Sequence, residues 1–173
     1  MQGGTTLGAL DKAWATRITD KIAESEGRYT MTAFLDCSKC YERVPHTEAA
    51  GRALALGAPG RLVQLMFDMY RAPRRIRVHG ATSRAAKGHC GLPAGCAYAK
   101  DVLEGFLQPS RDVCRYATFR GYVDDVTLQA VAGTHRGAAH ALGTDLYAIK
   151  DALRADNMVL NDAKEQVLGP RAL

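Results

Sequence analysis

At 173 residues the chain is long enough for one domain with a real core and too short for two of ordinary size. Its 23 Lys and Arg against 18 Asp and Glu leave a formal charge of +5, which permits a polyanionic partner without demanding one. No stretch approaches the roughly 20 apolar residues of a membrane span. Met1 to Gly27 is periodic and charged rather than a secretory leader, so five free thiols in an intracellular setting are expected. Cys37 and Cys40 form a C-x-x-C without a second pair, and zinc is not expected there.

Leu7, Leu10, Trp14, Ile18 and Ile22 recur at three- and four-residue steps, which predicts an amphipathic helix over about 6–25, with Gly27 as its stop. Tyr29 to Leu35 alternates as a strand does and ends at Asp36. Helices follow over Thr47 to Leu56 and Arg61 to Tyr70, split by Gly57-Ala58-Pro59-Gly60. Arg75 to His79 reads as a strand turning at Gly80. The run Gly91-Leu92-Pro93-Ala94-Gly95 leads into a helix with its apolar stripe at Ala99, Val102, Leu103, Phe106 and Leu107. Tyr116 to Tyr122 and Val126 to Val131 form a hairpin with Asp124 and Asp125 between its arms. Thr134 caps a long helix, and Met158 to Leu160 and Glu165 to Leu168 close the chain as short strands. This order predicts an α+β fold, an antiparallel sheet covered by helices.

Two acidic stations stand at strand ends, Asp36 and the pair Asp124-Asp125. Strands side by side in one sheet bring such carboxylates together, and three of them repel unless cations neutralise them. Hard oxygen ligands of this kind suit Mg²⁺ or Mn²⁺, which keep part of their water and take substrate phosphates as further ligands. Two such ions serve phosphoryl chemistry by activating an attacking hydroxyl and stabilising a leaving pyrophosphate. An Asp-Asp dipeptide taken alone is an ordinary turn pair.

The flanking residues add to this. Phe34-Leu35-Asp36-Cys37-Ser38-Lys39-Cys40-Tyr41-Glu42-Arg43-Val44-Pro45-His46 resembles the first palm motif of reverse transcriptases, L-D-x-S-K-A-F-D-x-V-x-H. Gly91-Leu92-Pro93-Ala94-Gly95-Cys96 resembles the second, G-x-P-Q-G-S, and Tyr122-Val123-Asp124-Asp125 the Y-x-D-D box. Leu160-Asn161-Asp162-Ala163-Lys164 resembles the fourth, L-N-x-x-K. The style of the first motif is most similar to the non-LTR (LINE-type) retrotransposon enzymes.

The resemblance implies one reverse-transcriptase-like domain over 1–173, with a palm core at about 29–169. The palm is a ferredoxin- or RRM-like antiparallel sheet covered by helices, here with fingers and thumb largely missing. It implies RNA-directed DNA polymerase activity with two Mg²⁺ or Mn²⁺ ions, on an RNA template, a DNA primer and deoxynucleoside triphosphates. Asp36, Asp124 and Asp125 would hold the ions, with the backbone carbonyl of Cys37 completing one shell. Tyr41 would pack under the incoming sugar, or is a core tyrosine. Gly91, Pro93 and Gly95 would let backbone approach the nascent pair and template, or form an ordinary turn, and Tyr122 would also bind substrate. Lys164 would protonate the leaving pyrophosphate, or is a solvated lysine. Arg71, Arg74, Arg75 and Arg77 would contact phosphates, or form a solvated helix end.

Ala94 stands where the family usually has Gln, Cys96 where it has Ser, and Glu42 where it has Asp. Only one helix and one strand precede Asp36, and little follows Leu168, so the fingers and thumb that position reactants are expected elsewhere, in missing segments or a larger retroelement polyprotein. Weak or no activity is expected of this polypeptide alone. The alternatives are an inactive retroelement remnant and a non-catalytic RNA-binding α+β module. The family implies work in the nucleus or cytoplasm and no membrane.

Overall fold

Alternation along the strand from Tyr29 sorts its side chains onto two faces, and the sheet is assembled around that strand in the computed structural model, which describes residues 8–93, 95–122 and 125–169. In chain order the elements begin with α1 (Ala9–Ser25), β1 (Tyr29–Ser38), α2 (Cys40–Arg43), α3 (His46–Ala55) and α4 (Gly60–Arg71). There follow β2 (Arg77–Val78), β3 (Ala81–Thr82), α5 (Ala99–Phe106), α6 (Gln108–Asp112), β4 (Ala117–Tyr122) and β5 (Asp125–Ala132). The chain closes with α7 (His135–Ala155), β6 (Val159–Leu160), a 3-10 turn (Asp162–Lys164) and β7 (Gln166–Leu168). The residues up to Ser38 and those from Pro109 onward make one unit, and Lys39–Gln108 make another.

In the first unit the strand order is β4-β5-β1-β6, with β7 also paired to β1 and every pairing antiparallel. This is the predicted mixed helix and antiparallel-sheet fold. One face carries Ala33, Leu35, Val126, Leu128 and Ala130, all buried, and α7 packs on the sheet with Ala138, Leu142, Ile149 and Leu153 buried. Thr134 caps α7 as expected, its hydroxyl accepting from the Gly137 N–H at 3.0 Å.

Strand β1 runs past its predicted end at Asp36 to Ser38. The ladder continues on both sides there, through Asp36 opposite Asp125 and through Cys37 and Ser38 opposite Leu160 and Val159. The segments α2, α6 and the 3-10 turn were not foreseen, because three to five residues are too few to show a helical period.

Helix α1 reverses the usual polarity of a surface helix. Its apolar stripe points away from this unit: Leu10 is 70 % exposed, Trp14 58 %, Ile18 51 % and Ile22 52 %. Thr6 and Leu7, where the helix was predicted to begin, lie outside the described residues. The inward face is polar and docks by hydrogen bonds. Buried Gln129 donates to the Thr16 carbonyl at 3.2 Å and to Asp20 Oδ1 at 2.8 Å. Arg120 donates to Gln129 Oε1 at 2.8 Å and to Thr19 Oγ1 at 3.1 Å. Each buried polar group of this network thus has a partner, the condition under which such groups are tolerated.

A second buried polar anchor holds the base of the β4–β5 hairpin. Asp145 on α7 is 1 % exposed and accepts from the backbone N–H groups of Arg115, Tyr116 and Ala117 at 2.6–3.1 Å. Burial, and then the nearby Asp145 carboxylate, push the Cys114 thiol up to about 11.

In the second unit α3 packs against α4 and α5 around Val63, Met66, Phe67, Val102, Leu103 and Phe106. Gly57, at φ +84°, takes the left-handed turn that ends α3. Arg52 donates to the Phe106 carbonyl, and its guanidinium lies 4.4 Å from the Phe106 ring centroid. Among the described residues no helix is long and apolar enough to cross a membrane.

These contrasts give two stability predictions, both read by urea unfolding. Asp145→Ala, which orphans three backbone donors, should cost at least about 3 kcal/mol. Trp14→Gln should stay within about 0.5 kcal/mol, because the ring buries little on this unit; a loss of several kcal/mol would contradict its outward placement.

Candidate active site

Strand register decides what meets at the end of the sheet. Asp36 in β1 lies directly opposite Asp125, the first residue of β5. Residues opposite one another across an antiparallel pair project to the same face, with Cβ atoms about 4.5–5.5 Å apart. Asp36 is half-buried and Asp125 exposed. Tyr122 pairs with Asp125 from the far side, in β4. Asp124, with Val123 before it, lies outside the described residues.

The other edge of β1 brings the fourth motif to the same level. β6 pairs with β1 at Cys37 and Ser38, and β7 pairs at Thr32, Ala33 and Phe34. The turn between them spans Asp36, and the Asn161 N–H donates to the Asp36 carbonyl at 2.9 Å. Lys164, in that turn, places its ammonium 3.2 Å from Asp36 Oδ1, with the lysine 64 % and the aspartate 18 % exposed. Lys150 of α7 anchors the turn through an ion pair to Glu165 at 2.5 Å, both residues half-buried. Sequence reading did not single out Lys150 or Glu165, since only the fold brings them together.

The donor set fits a hard divalent cation. Two carboxylates face each other with a positive group already on one of them. Among the described residues no group of three His, Cys, Asp or Glu gathers at one point. Cys37 is buried within the ladder between β1 and β6.

Beside Asp125 opens a groove of about 480 Å³ between α1 and the sheet. Lys12, Arg17 and Arg120 line it, as do Asp20, Phe34 and Tyr122. Lys12 Nζ stands 5.5 Å from the centroid of the Tyr122 ring. Burial presses the Arg120 pKa down, against the attraction of Asp20. In the sequence Lys12 and Arg17 are only two of the charges of the periodic segment Met1 to Gly27.

The remaining predicted residues lie in the second unit. Tyr41 is half-buried on α2, and its carbonyl accepts from the Leu92 N–H at 2.8 Å. The Gly91 N–H donates to the Val44 carbonyl at 2.9 Å, and Pro45 and Cys90 form a β-bridge. Gly91 has φ +94°, and a Cβ there would sit 3.4 Å from the Glu42 carbonyl oxygen, so glycine answers both the turn and the close approach. Pro93 is half-buried and Gly95 exposed at φ +84°, while Ala94 lies outside the described residues. Arg71 ends α4, and Arg74, Arg75 and Arg77 sit on or beside the β2–β3 ribbon, all four exposed.

Comparison with known proteins adds to this geometry. The model of the family described as reverse transcriptase (RNA-dependent DNA polymerase) matches residues 5–171. No curated protein matches the chain. Among solved structures it is similar to apo telomerase from Candida tropicalis truncated from its C-terminal domain, with TM-score 0.67 and 9% identity over 96% of this chain and 36% of that one. Telomerase from Candida tropicalis in complex with the TWJ fragment of telomeric RNA gives 0.68 and 10% over 95% and 30%. The Candida albicans telomerase complex with the same fragment gives 0.63 and 14% over 91% and 30%. The chain therefore spans about a third of those structures, and at such identities the likeness is one of fold. With nearly the whole sequence matched by the family model, the chain belongs to the reverse transcriptase (RNA-dependent DNA polymerase) family.

Proposed function

We propose that the chain is the palm of an RNA-directed DNA polymerase that transfers nucleotides with two divalent ions. The observation that carries this reading is the cross-strand pair Asp36 and Asp125, with Lys164 at 3.2 Å from Asp36. Asp36, Asp124, Asp125 and the Cys37 carbonyl are the residues proposed to hold Mg²⁺ or Mn²⁺. When bound, such ions supply a more acidic 3′-hydroxyl and charge to offset the leaving pyrophosphate.

The chain's own residues have separate parts. In the reaction a primer 3′-oxygen bonds to the α-phosphorus of a deoxynucleoside triphosphate as the bond to pyrophosphate breaks. Lys164 carries a proton that the departing pyrophosphate oxygen can take. The family resemblance assigns Tyr41 to the underside of the sugar, Gly91, Pro93 and Gly95 to the nascent pair, and Tyr122 to substrate contact. Arg71, Arg74, Arg75 and Arg77 would bind template or primer phosphates, a contact that falls with salt. The groove cations Lys12 and Arg17 offer the same chemistry beside Asp125.

The first motif, Phe34 to His46, supports a retroelement origin of the non-LTR type, with nuclear or cytoplasmic work. Since the chain spans 36% of a telomerase of similar fold, full activity is proposed for the larger assembly that supplies fingers and thumb, as missing segments or within a retroelement polyprotein. A non-catalytic RNA-binding module is the second reading, favoured by the exposed arginines of the β2–β3 ribbon.

Primer extension on an RNA template with a DNA primer, with Mg²⁺ or Mn²⁺, separates the two. Extension should fall at least about 100-fold in Asp36→Asn and in Asp124→Asn while hybrid binding holds. A spectroscopic Mn²⁺ titration decides even where extension is slow: Asp36→Asn should weaken binding roughly 10- to 100-fold. Hybrid binding with neither extension nor carboxylate-dependent Mn²⁺ uptake would establish the module instead.

A further inference from the structure

The glycine loop is fastened at both ends by one aromatic cluster whose members the polymerase reading does not use. His46 is 1 % exposed, and its Nε2 lies 2.8 Å from the Gly91 carbonyl oxygen. A carbonyl only accepts, so Nε2 carries the proton and donates. Among the described residues Nδ1 is buried with no hydrogen-bond partner, and the bond made by Nε2 is with the loop. The ring packs against Phe67, with centroids 5.7 Å apart, and against Tyr70 at 6.1 Å; Phe67 and Tyr70 meet edge-on at 5.5 Å.

Tyr70 reaches the other end of the loop. Its hydroxyl shares a hydrogen bond with Cys96 Sγ at 3.1 Å. That bond, followed by backbone N–H groups of Tyr98 and Ala99, lowers the Cys96 thiol pKa. Burial, followed by the same bond, raises that of Tyr70. Between the two anchors, the Gly91 and Leu92 N–H groups tie the loop to Val44 and Tyr41, and the Cys96 N–H closes it on the Pro93 carbonyl at 3.1 Å.

We infer that His46 and Tyr70 are positioning residues, His46 clamping Gly91 onto the Tyr41–Val44 segment and Tyr70 fixing Cys96, so that the ring of Tyr41 and the Gly91 backbone meet a nucleotide together. The clamp is a structural statement; its consequence for nucleotides rests on the polymerase reading. Neither His46 nor Tyr70 touches the substrate in this scheme. Held in this way, Gly91, Leu92 and Cys96 lose little further freedom when a nucleotide arrives, and binding costs less ordering.

Two variants test the clamp in the 173-residue chain. In His46→Ala, amide exchange followed by NMR should speed about tenfold at Gly91 and Leu92 while Leu103 and Phe106 hold, the signature of local rather than global opening. His46→Gln, which restores a side-chain N–H donor, should recover most of the protection. Tyr70→Phe keeps the ring packing and removes only the hydroxyl. It should slow alkylation of Cys96 at pH 8, since the thiol loses the bond that lowers its pKa, and should speed exchange at the Cys96 amide. Unchanged loop exchange in both variants, or acceleration of every amide alike, would overturn the clamp. In primer extension both variants should raise the nucleotide KM several-fold with kcat retained; an equal fall in kcat alone would overturn the positioning role. Mn²⁺ uptake that ignores Asp36→Asn, together with absence of extension, would count against the polymerase reading, and amide exchange would still decide the clamp.

Discussion

Two carboxylates held face to face across neighbouring strands are an electrostatic burden that a fold must compensate. Asp36 and Asp125 are fixed opposite each other by eight consecutive residue pairs between β1 and β5, so neither can leave without breaking the ladder. Like charges directly opposed in a sheet destabilise it. Lys164 relieves part of this repulsion, delivered by a turn whose flanking strands both pair with β1. Each strand of the first unit can be understood as serving that spot. β5 brings one acid, β6 and β7 bring the lysine, and β4 holds the hairpin against Asp145. The first unit thus gathers negative charge at one end of its sheet and sets an exposed lysine against it.

Much of this was legible because it is local. Alternation in Tyr29–Leu35 and Val126–Val131 located both arms of the central pair, and Thr134 and Gly57 marked helix ends through their own chemistry. The four motifs were readable because their residue types and order are specific. The continuation of β1 to Ser38 was not, since polar Asp36 and Ser38 look like a strand end until partners on both edges are known. The ion pair of Lys150 with Glu165 and the four backbone bonds to Asp145 join residues 15 to 30 positions apart, and no periodicity encodes them. His46 was quoted within the first motif, yet its part as an anchor depends on Gly91, 45 residues on.

The two faces of the first unit's sheet rely on different adhesives. The face of the first sheet toward α7 is aliphatic, whereas the face toward α1 is a hydrogen-bonded network through Gln129, Arg120, Thr16, Thr19 and Asp20. Such a network specifies orientation strongly, because each member has a fixed partner and a partly broken set is worse than none. The groove beside Asp125 lies along that polar seam, and its width depends on bonds that tolerate little sliding.

The outward stripe of α1 separates two pressures that usually act on the same residues. In most helices an apolar position is kept apolar by the core, and exchanging it for a hydrophilic residue unfolds the protein. At Leu10, Trp14, Ile18 and Ile22 this unit's own packing supplies no such constraint. Sequence drift there is free as far as folding is concerned, and engineering for solubility can begin at these four positions without trading away the sheet beneath.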